Sequence, residues 1–178
     1  MEKIKIVTTN DLKFSHLKSF LGDKFDCEKA ELDIVEIQGS KEEIIKEKLK
    51  IAFNYFKEPV LVDDTSLEIE ELGGFPGPYI KDFVKTLGLK NIAKKFDGTN
   101  AKTICNLAFT RDGRDNFFAV GEISGKIKYI GSTGDSENQM EYAFIPNGLD
   151  KTLAETSLEK DKKYFNRYLA VMDLIKKI

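Results

Sequence analysis

The feature that most restricts what this chain can fold into is an apolar strand that runs straight into two acids. Residues 59–83 read PVLVDDTSLEIEELGGFPGPYIKDF, and the run Val60, Leu61, Val62 is followed at once by Asp63 and Asp64. A short continuous run of branched apolar side chains fits a strand covered on both faces. Desolvating an unpaired carboxylate is costly, so the acid pair is expected at the strand's carboxyl end, where water, a metal or a phosphate-bound cation reaches it. A plain turn before a second short run, Leu67-Glu68-Ile69, accommodates the two aspartates equally well. Residues 73–78, GGFPGP, hold three glycines and two prolines, which fixes an irregular loop. Behind it, Tyr79-Ile80-Lys81-Asp82-Phe83 begins a helical pattern that keeps Lys81 close to the loop.

Near the amino terminus, Ile4 to Val7 predicts a strand, Thr8-Thr9-Asn10-Asp11 a polar turn, and the pattern of Leu12, Leu17, Phe20 and Leu21 a helix. The N–H groups at such a helix start favour an anion, and Lys13 in the first turn adds a charge-assisted donor. An ordinary N-cap at Asn10 or Asp11 accounts for the same residues. His16, the only histidine, has no acidic neighbour in sequence and is expected at the surface or half-buried, with no role. Glu36, between Val35 and Ile37, fits period-2 alternation on a half-exposed strand. Ser40-Lys41-Glu42-Glu43 fits a capping box for a helix over about 41–56, whose Lys46-Glu47-Lys48 segment reads as a solvated face.

Further along, Gly88 separates two short helices. Residues 101–110 alternate as a strand, Asp112-Gly113 turns into a strand over 116–123, and Lys126-Ile127-Lys128 would be another. Residues 131–141, GSTGDSENQME, are polar and loop-like. Thr156-x-x-Glu159 would cap a final helix with Phe165, Tyr168, Met172 and Ile175 as its apolar stripe.

At 178 residues the chain predicts one domain over 1–178. Its 28 basic and 30 acidic side chains nearly cancel, so it lacks the charge footprint for a nucleic-acid polymer or an anionic membrane. A phosphate-bearing partner would be a small molecule held by a few placed cations. Two isolated cysteines, Cys27 and Cys105, with no leader-like or long apolar segment, read as free thiols in the cytoplasm.

The 59–83 segment resembles the central signature of the inosine triphosphate pyrophosphatase family, the eukaryotic branch above all. Those enzymes hydrolyse non-standard purine nucleoside triphosphates such as ITP, dITP and XTP to the monophosphate and pyrophosphate. The resemblance implies an α/β fold with a long mixed twisted sheet, flanking helices and two lobes around a central cleft. It implies Mg²⁺ (or Mn²⁺) as cofactor and a homodimer. Thr8-x-Asn10-x-x-Lys13 is similar to the family's phosphate-binding motif, with Thr9 where a glycine is usual. Glu36, shortly before Gln38-Gly39, matches a magnesium ligand and would share the ion with Asp64. Asp63, Asp64 and Lys13 become the candidate catalytic residues. Thr8, Asn10, Lys13, Lys81, Glu141, Asn166 and Arg167 become the substrate-binding set. Lys151-Thr152-Leu153-Ala154-Glu155 and Phe144-x-Pro146-x-Gly148 continue the match.

Two stretches depart from the family. Where relatives carry aromatic-Gly-aromatic-Asp-Pro, this chain has Asn138, Met140 and Glu141, so both stacking rings are missing. Where relatives carry Ser-His-Arg, it has Phe165-Asn166-Arg167. The phosphate and metal half of the resemblance is intact and the base-reading half is altered. That leaves two expectations open: an active pyrophosphohydrolase, or a nucleotide-binding relative with weak turnover and lost or shifted base specificity.

Overall fold

The computed structural model describes residues 1–130 and 139–178. The elements, in order, are β1 (Glu2–Val7), α1 (Asp11–Leu21), β2 (Phe25–Ala30), α2 (Lys41–Phe56), β3 (Val60–Ile69), β4 (Pro76–Gly77), α3 (Ile80–Leu87), α4 (Leu89–Lys95), β5 (Asn100–Thr110), β6 (Asn116–Ile127), β7 (Phe144–Pro146) and α5 (Asn166–Ile175). The strands make one mixed seven-stranded sheet in the order β2-β1-β3-β5-β6-β7, with β4 paired to β3. By contacts along the chain the molecule divides into two compact units. The first comprises Met1–Asp64, Cys105–Gly121 and Arg167–Ile178, and the second Thr65–Ile104 and Glu122–Asn166.

In the first unit β1 pairs in parallel with β2 and with β3, Ile6 lying against Leu61 and Val7 against Val62. β3 lies inside the sheet and helices cover both of its faces, which is why Val60, Leu61 and Val62 are all apolar and buried. Alternation along the strand then sorts the side chains. Val60 and Val62 join Ile45, Leu49 and Ala52 of α2, together with Val7 and Ala108, in one core cluster. Leu61 points the other way. The opposite cover includes α1 and α5, joined by the Phe20 and Tyr168 rings at 5.4 Å, edge to face. The capping box expected at Ser40 is formed: its hydroxyl accepts from Glu43 N–H, and the Glu43 carboxylate accepts from Ser40 N–H.

In the second unit Gly73 and Gly74, at φ 61° and 95°, turn the chain back so that β4 pairs antiparallel with β3, Leu67 against Gly77. Gly88 separates α3 from α4 as expected. Gly125 serves close approach: a Cβ there would lie 2.2 Å from the Ile145 carbonyl oxygen of the paired strand β7.

Four expectations are corrected. The acid pair does not end its strand: β3 runs unbroken from Val60 to Ile69, because cations from distant segments compensate Asp63 and Asp64. The expected third strand at Lys126 is the end of a single long β6. Residues 31–37 have no regular structure, and Val35 stands 87% exposed, so Glu36 is not on a strand. Thr156-x-x-Glu159 caps no helix. The chain there turns through Ser157, whose N–H donates to Asp161, and α5 starts only at Asn166 with Ala170, Val171 and Leu174 as its most buried residues.

Candidate active site

The site is built on β3 inside the first unit. Asp63 and Asp64 are each 4% exposed, and as strand neighbours they leave opposite faces of the sheet. Their surroundings differ accordingly.

Asp63 shares the side of Leu61, beneath α1 and α5. Lys13 Nζ of α1 lies 3.2 Å from its Oδ2 and Arg167 Nε of α5 lies 3.4 Å from the same oxygen. Burial opposes ionisation of this carboxyl, yet Lys13, Arg167 and Lys48 outweigh it and hold it below the usual carboxylate range. Asp63 is therefore a fixed anion at neutral pH. The turn before α1 is rigidly organised: Asn10 N–H donates to Thr8 Oγ1, and Asn10 Oδ1 caps the helix by accepting from Lys13 N–H. The parallel register sets Val7 beside Val62, so each strand's next residue is Thr8 on one side and Asp63 on the other.

Asp64 shares the side of Val60 and Val62, beneath α2. Its Oδ1 accepts from Lys48 Nζ at 3.1 Å, and the same ammonium donates to Glu36 Oε1 at 2.8 Å. The pair is lopsided. Burial works against the charge on Lys48, but Asp64 and Glu36 together outweigh it and hold its pKa up. For Asp64, burial wins over Lys48 and Lys13, and the carboxyl sits above its usual range. Its Oδ2 is buried and accepts no hydrogen bond, a costly vacancy for a carboxylate oxygen.

Those observations test the fit of a divalent cation. Among the described residues no three acidic, histidine or cysteine side chains gather as a complete metal cage. What the site does offer is one unpartnered buried carboxylate oxygen, and a second carboxylate drawn to the same ammonium. Mg²⁺ needs no more than one or two carboxylates when waters and substrate phosphates complete its shell, so the donor set fits.

The remaining expected residues belong to the second unit. Lys81 is exposed on α3, Glu141 is half-buried in the 3₁₀ turn Met140–Tyr142, and Asn166 is buried at the first residue of α5. Asn138 lies outside the described residues. Two residues expected to have no part are in the first-unit cluster. Lys48, expected on a solvated face, is only 14% exposed in its side chain. The signal was its register, three and four residues from Ile45, Ile44 and Ala52 on the buried stripe of α2. His16 is buried and its Nδ1 lies 3.4 Å from Arg167 Nη1; it too continues the stripe of Leu17 and Phe20. Cys27 and Cys105 are free thiols, and burial pushes Cys105 up to about 12.

The model of the Ham1 family matches residues 4–177. The inosine triphosphate pyrophosphatase of Schizosaccharomyces pombe is 36% identical over 179 residues, covering 98% of this chain and 94% of its own. The enzyme of the same name from Aspergillus oryzae is 34% identical over 171 residues, covering 94% and 88%. A solved HAM1 protein from Coxiella burnetii superposes with a TM-score of 0.78 at 18% identity, covering 99% of this chain and 98% of that one, a likeness of fold.

Proposed function

Because this chain belongs to the Ham1 family, we propose that it is a nucleoside triphosphate pyrophosphohydrolase acting on non-standard purine nucleotides, ITP, dITP and XTP, to release the monophosphate and pyrophosphate. The observation that carries the reading is the buried pair Asp63 and Asp64, one carboxylate neutralised by two cations and the other left with an unpartnered oxygen. Asp63 fixes two cations in place and the next residue offers a metal-binding oxygen, and each aspartate also feels the other's ammonium, Lys48 and Lys13, a combination that suits a triphosphate.

Lys13 and Arg167 grip the phosphates. Their ammonium and guanidinium offset charge that grows on phosphate oxygens during cleavage, and Asp63 holds both in place before substrate arrives. Thr8 and Asn10 shape the helix start that faces the anion. Asp64 and Glu36 would hold Mg²⁺, or Mn²⁺ in its place. A bound divalent ion polarises phosphate oxygens and lowers the pKa of a coordinated water. Lys48 stands between the two carboxylates and keeps them together. Lys81, Glu141 and Asn166 complete the substrate set as part of this proposal, Lys81 within the matched signature and Glu141 and Asn166 as replacements at the family's acid and histidine positions. The same match, 4–177, supports residues 1–178 acting as one pyrophosphatase domain. Homodimeric assembly rests on the family resemblance alone. A cytoplasmic location accords with the two free thiols, and no helix among the described residues is long and apolar enough to cross a membrane.

The base-reading half differs from the family at Asn166 and Met140, the latter buried in the second unit. Base–aromatic stacking contributes about 1–3 kcal/mol per base, so discrimination between purines is expected to be weaker than in relatives. Pyrophosphate release across ITP, XTP, their deoxy forms and the four standard triphosphates tests both points. Release from ITP and XTP with a shallow preference over GTP is expected, and Asn166→His should steepen it. No release from any triphosphate would overturn the proposal, and a sharp preference in the unaltered protein would overturn the base argument.

A further inference from the structure

The chain's only histidine is placed where it acts on Arg167. His16 is 5% exposed and Arg167 7%, and Nδ1 of the one lies 3.4 Å from Nη1 of the other. The same guanidinium faces Asp63 Oδ2 through its Nε, also at 3.4 Å. Three residues before His16 on α1, Lys13 reaches that carboxylate directly. One helix face thus meets Asp63 twice, once through an ammonium and once through an imidazole that touches the guanidinium. The imidazole is itself held: its ring lies 5.9 Å from Phe20, which also meets Tyr168, the residue after Arg167, edge to face.

A guanidinium only donates, so contact with Nδ1 requires that nitrogen to accept and the ring proton to sit on Nε2. The ring must also be uncharged. Burial and the neighbouring Arg167 lower its pKa to about 4, which meets that condition at neutral pH.

We propose that His16 is a positioning residue whose neutral Nδ1 sets the plane of the Arg167 guanidinium against Asp63. A guanidinium held at Nε by a carboxylate and at Nη1 by an imidazole has its fork oriented before a phosphate arrives, so orientation is not lost on each turnover. The inference rests on the function proposed above for what Arg167 grips, but the contact itself does not.

The test therefore has a spectroscopic arm and a kinetic arm, both on the full chain. With one histidine and three arginines, Arg111, Arg114 and Arg167, the ¹⁵N signals of ring and guanidinium are assignable by single substitutions. The expected result is the Nε2–H tautomer, with a resolved Arg167 Nη1–H signal that is lost in His16→Leu while the Nε–H signal toward Asp63 persists. In turnover, His16→Leu should lower kcat/KM for ITP about tenfold. His16→Asn, whose amide oxygen falls where Nδ1 stood, should restore most of it. In an Arg167→Ala background His16→Leu should change nothing further. The Nδ1–H tautomer, or an Arg167 signal indifferent to His16→Leu, would overturn the contact. Equal loss with and without Arg167 would overturn the positioning role. A wild-type protein inert toward every triphosphate would refute the proposed function, while the tautomer would still decide whether the imidazole holds the guanidinium.

Discussion

The two faces of β3 in the first unit give the same chemical group opposite treatment. On the α1 and α5 side, Asp63 meets two cations and is held ionised despite complete burial. On the α2 side, Asp64 shares one ammonium with Glu36, is pushed up by burial, and keeps one oxygen without a partner. The lesson is that alternation along a strand separates jobs as well as packing. Adjacent residues with identical side chains become a structural anion and a ligand-ready carboxylate, because one-residue steps lead to different helices.

Removing divalent metal is the strongest way to break that contrast. Turnover should vanish in chelator and return with Mg²⁺, while the unfolding midpoint stays put, because Lys48 bridges Glu36 and Asp64 without the ion. Turnover that persists in chelator would detach the Asp64 face from metal binding.

The Asp63 face is sharpened next. Lys13→Ala and Arg167→Ala should each cost about 1.5–3 kcal/mol of transition-state stabilisation, the range for hydrogen bonds to charged groups. The loss in kcat/KM should be equal for ITP and GTP, since phosphate is common to both. A loss that depends strongly on the base would move that residue into base recognition.

The smallest effect in rate, though not in stability, lies in His16. Its pKa is about 6.5 unfolded and about 4 folded, so between those values the unfolded chain binds more protons. Its contribution is present above pH 6.5 and is lost as pH falls through 4, by about 3 kcal/mol in all. Among the described residues, Arg167 and Asp63 are charged groups that face it. Urea unfolding at about pH 7 and about pH 4 should show this loss in the wild type and a flatter profile in His16→Leu. Parallel profiles would place the imidazole in solvent.

Much of this was legible in the chain where the cause is local. The Ser40 to Glu43 capping box, the helix it starts and the strand that opens at Val60 depend on residues close together in sequence, and each formed as expected. What escaped depends on distant partners. The strand carrying Asp63 and Asp64 continues because Lys13, Lys48 and Arg167 fold back onto it, up to 104 residues away. Lys48 looked solvated because its neighbours Lys46 and Glu47 are charged, although its register on α2 is that of the buried stripe. His16 lacked an acidic neighbour in sequence, and its partner stands 151 residues off. The start of α5 was misplaced because Thr156 and Glu159 fit a cap pattern that the Ser157–Asp161 turn pre-empts.

The most direct test of the different roles assigned to the two aspartates is a paired measurement of unfolding free energy and pyrophosphate release in Asp63→Asn and Asp64→Asn. Asp63→Asn removes the buried carboxylate that both Lys13 and the buried Arg167 face, and should cost about 3–5 kcal/mol of stability. Asp64→Asn removes a carboxylate whose burial is not fully repaid, so stability should stay within about 1 kcal/mol while release falls by orders of magnitude. An Asp64→Asn protein that keeps its turnover, or proves the less stable of the two, would contradict the account.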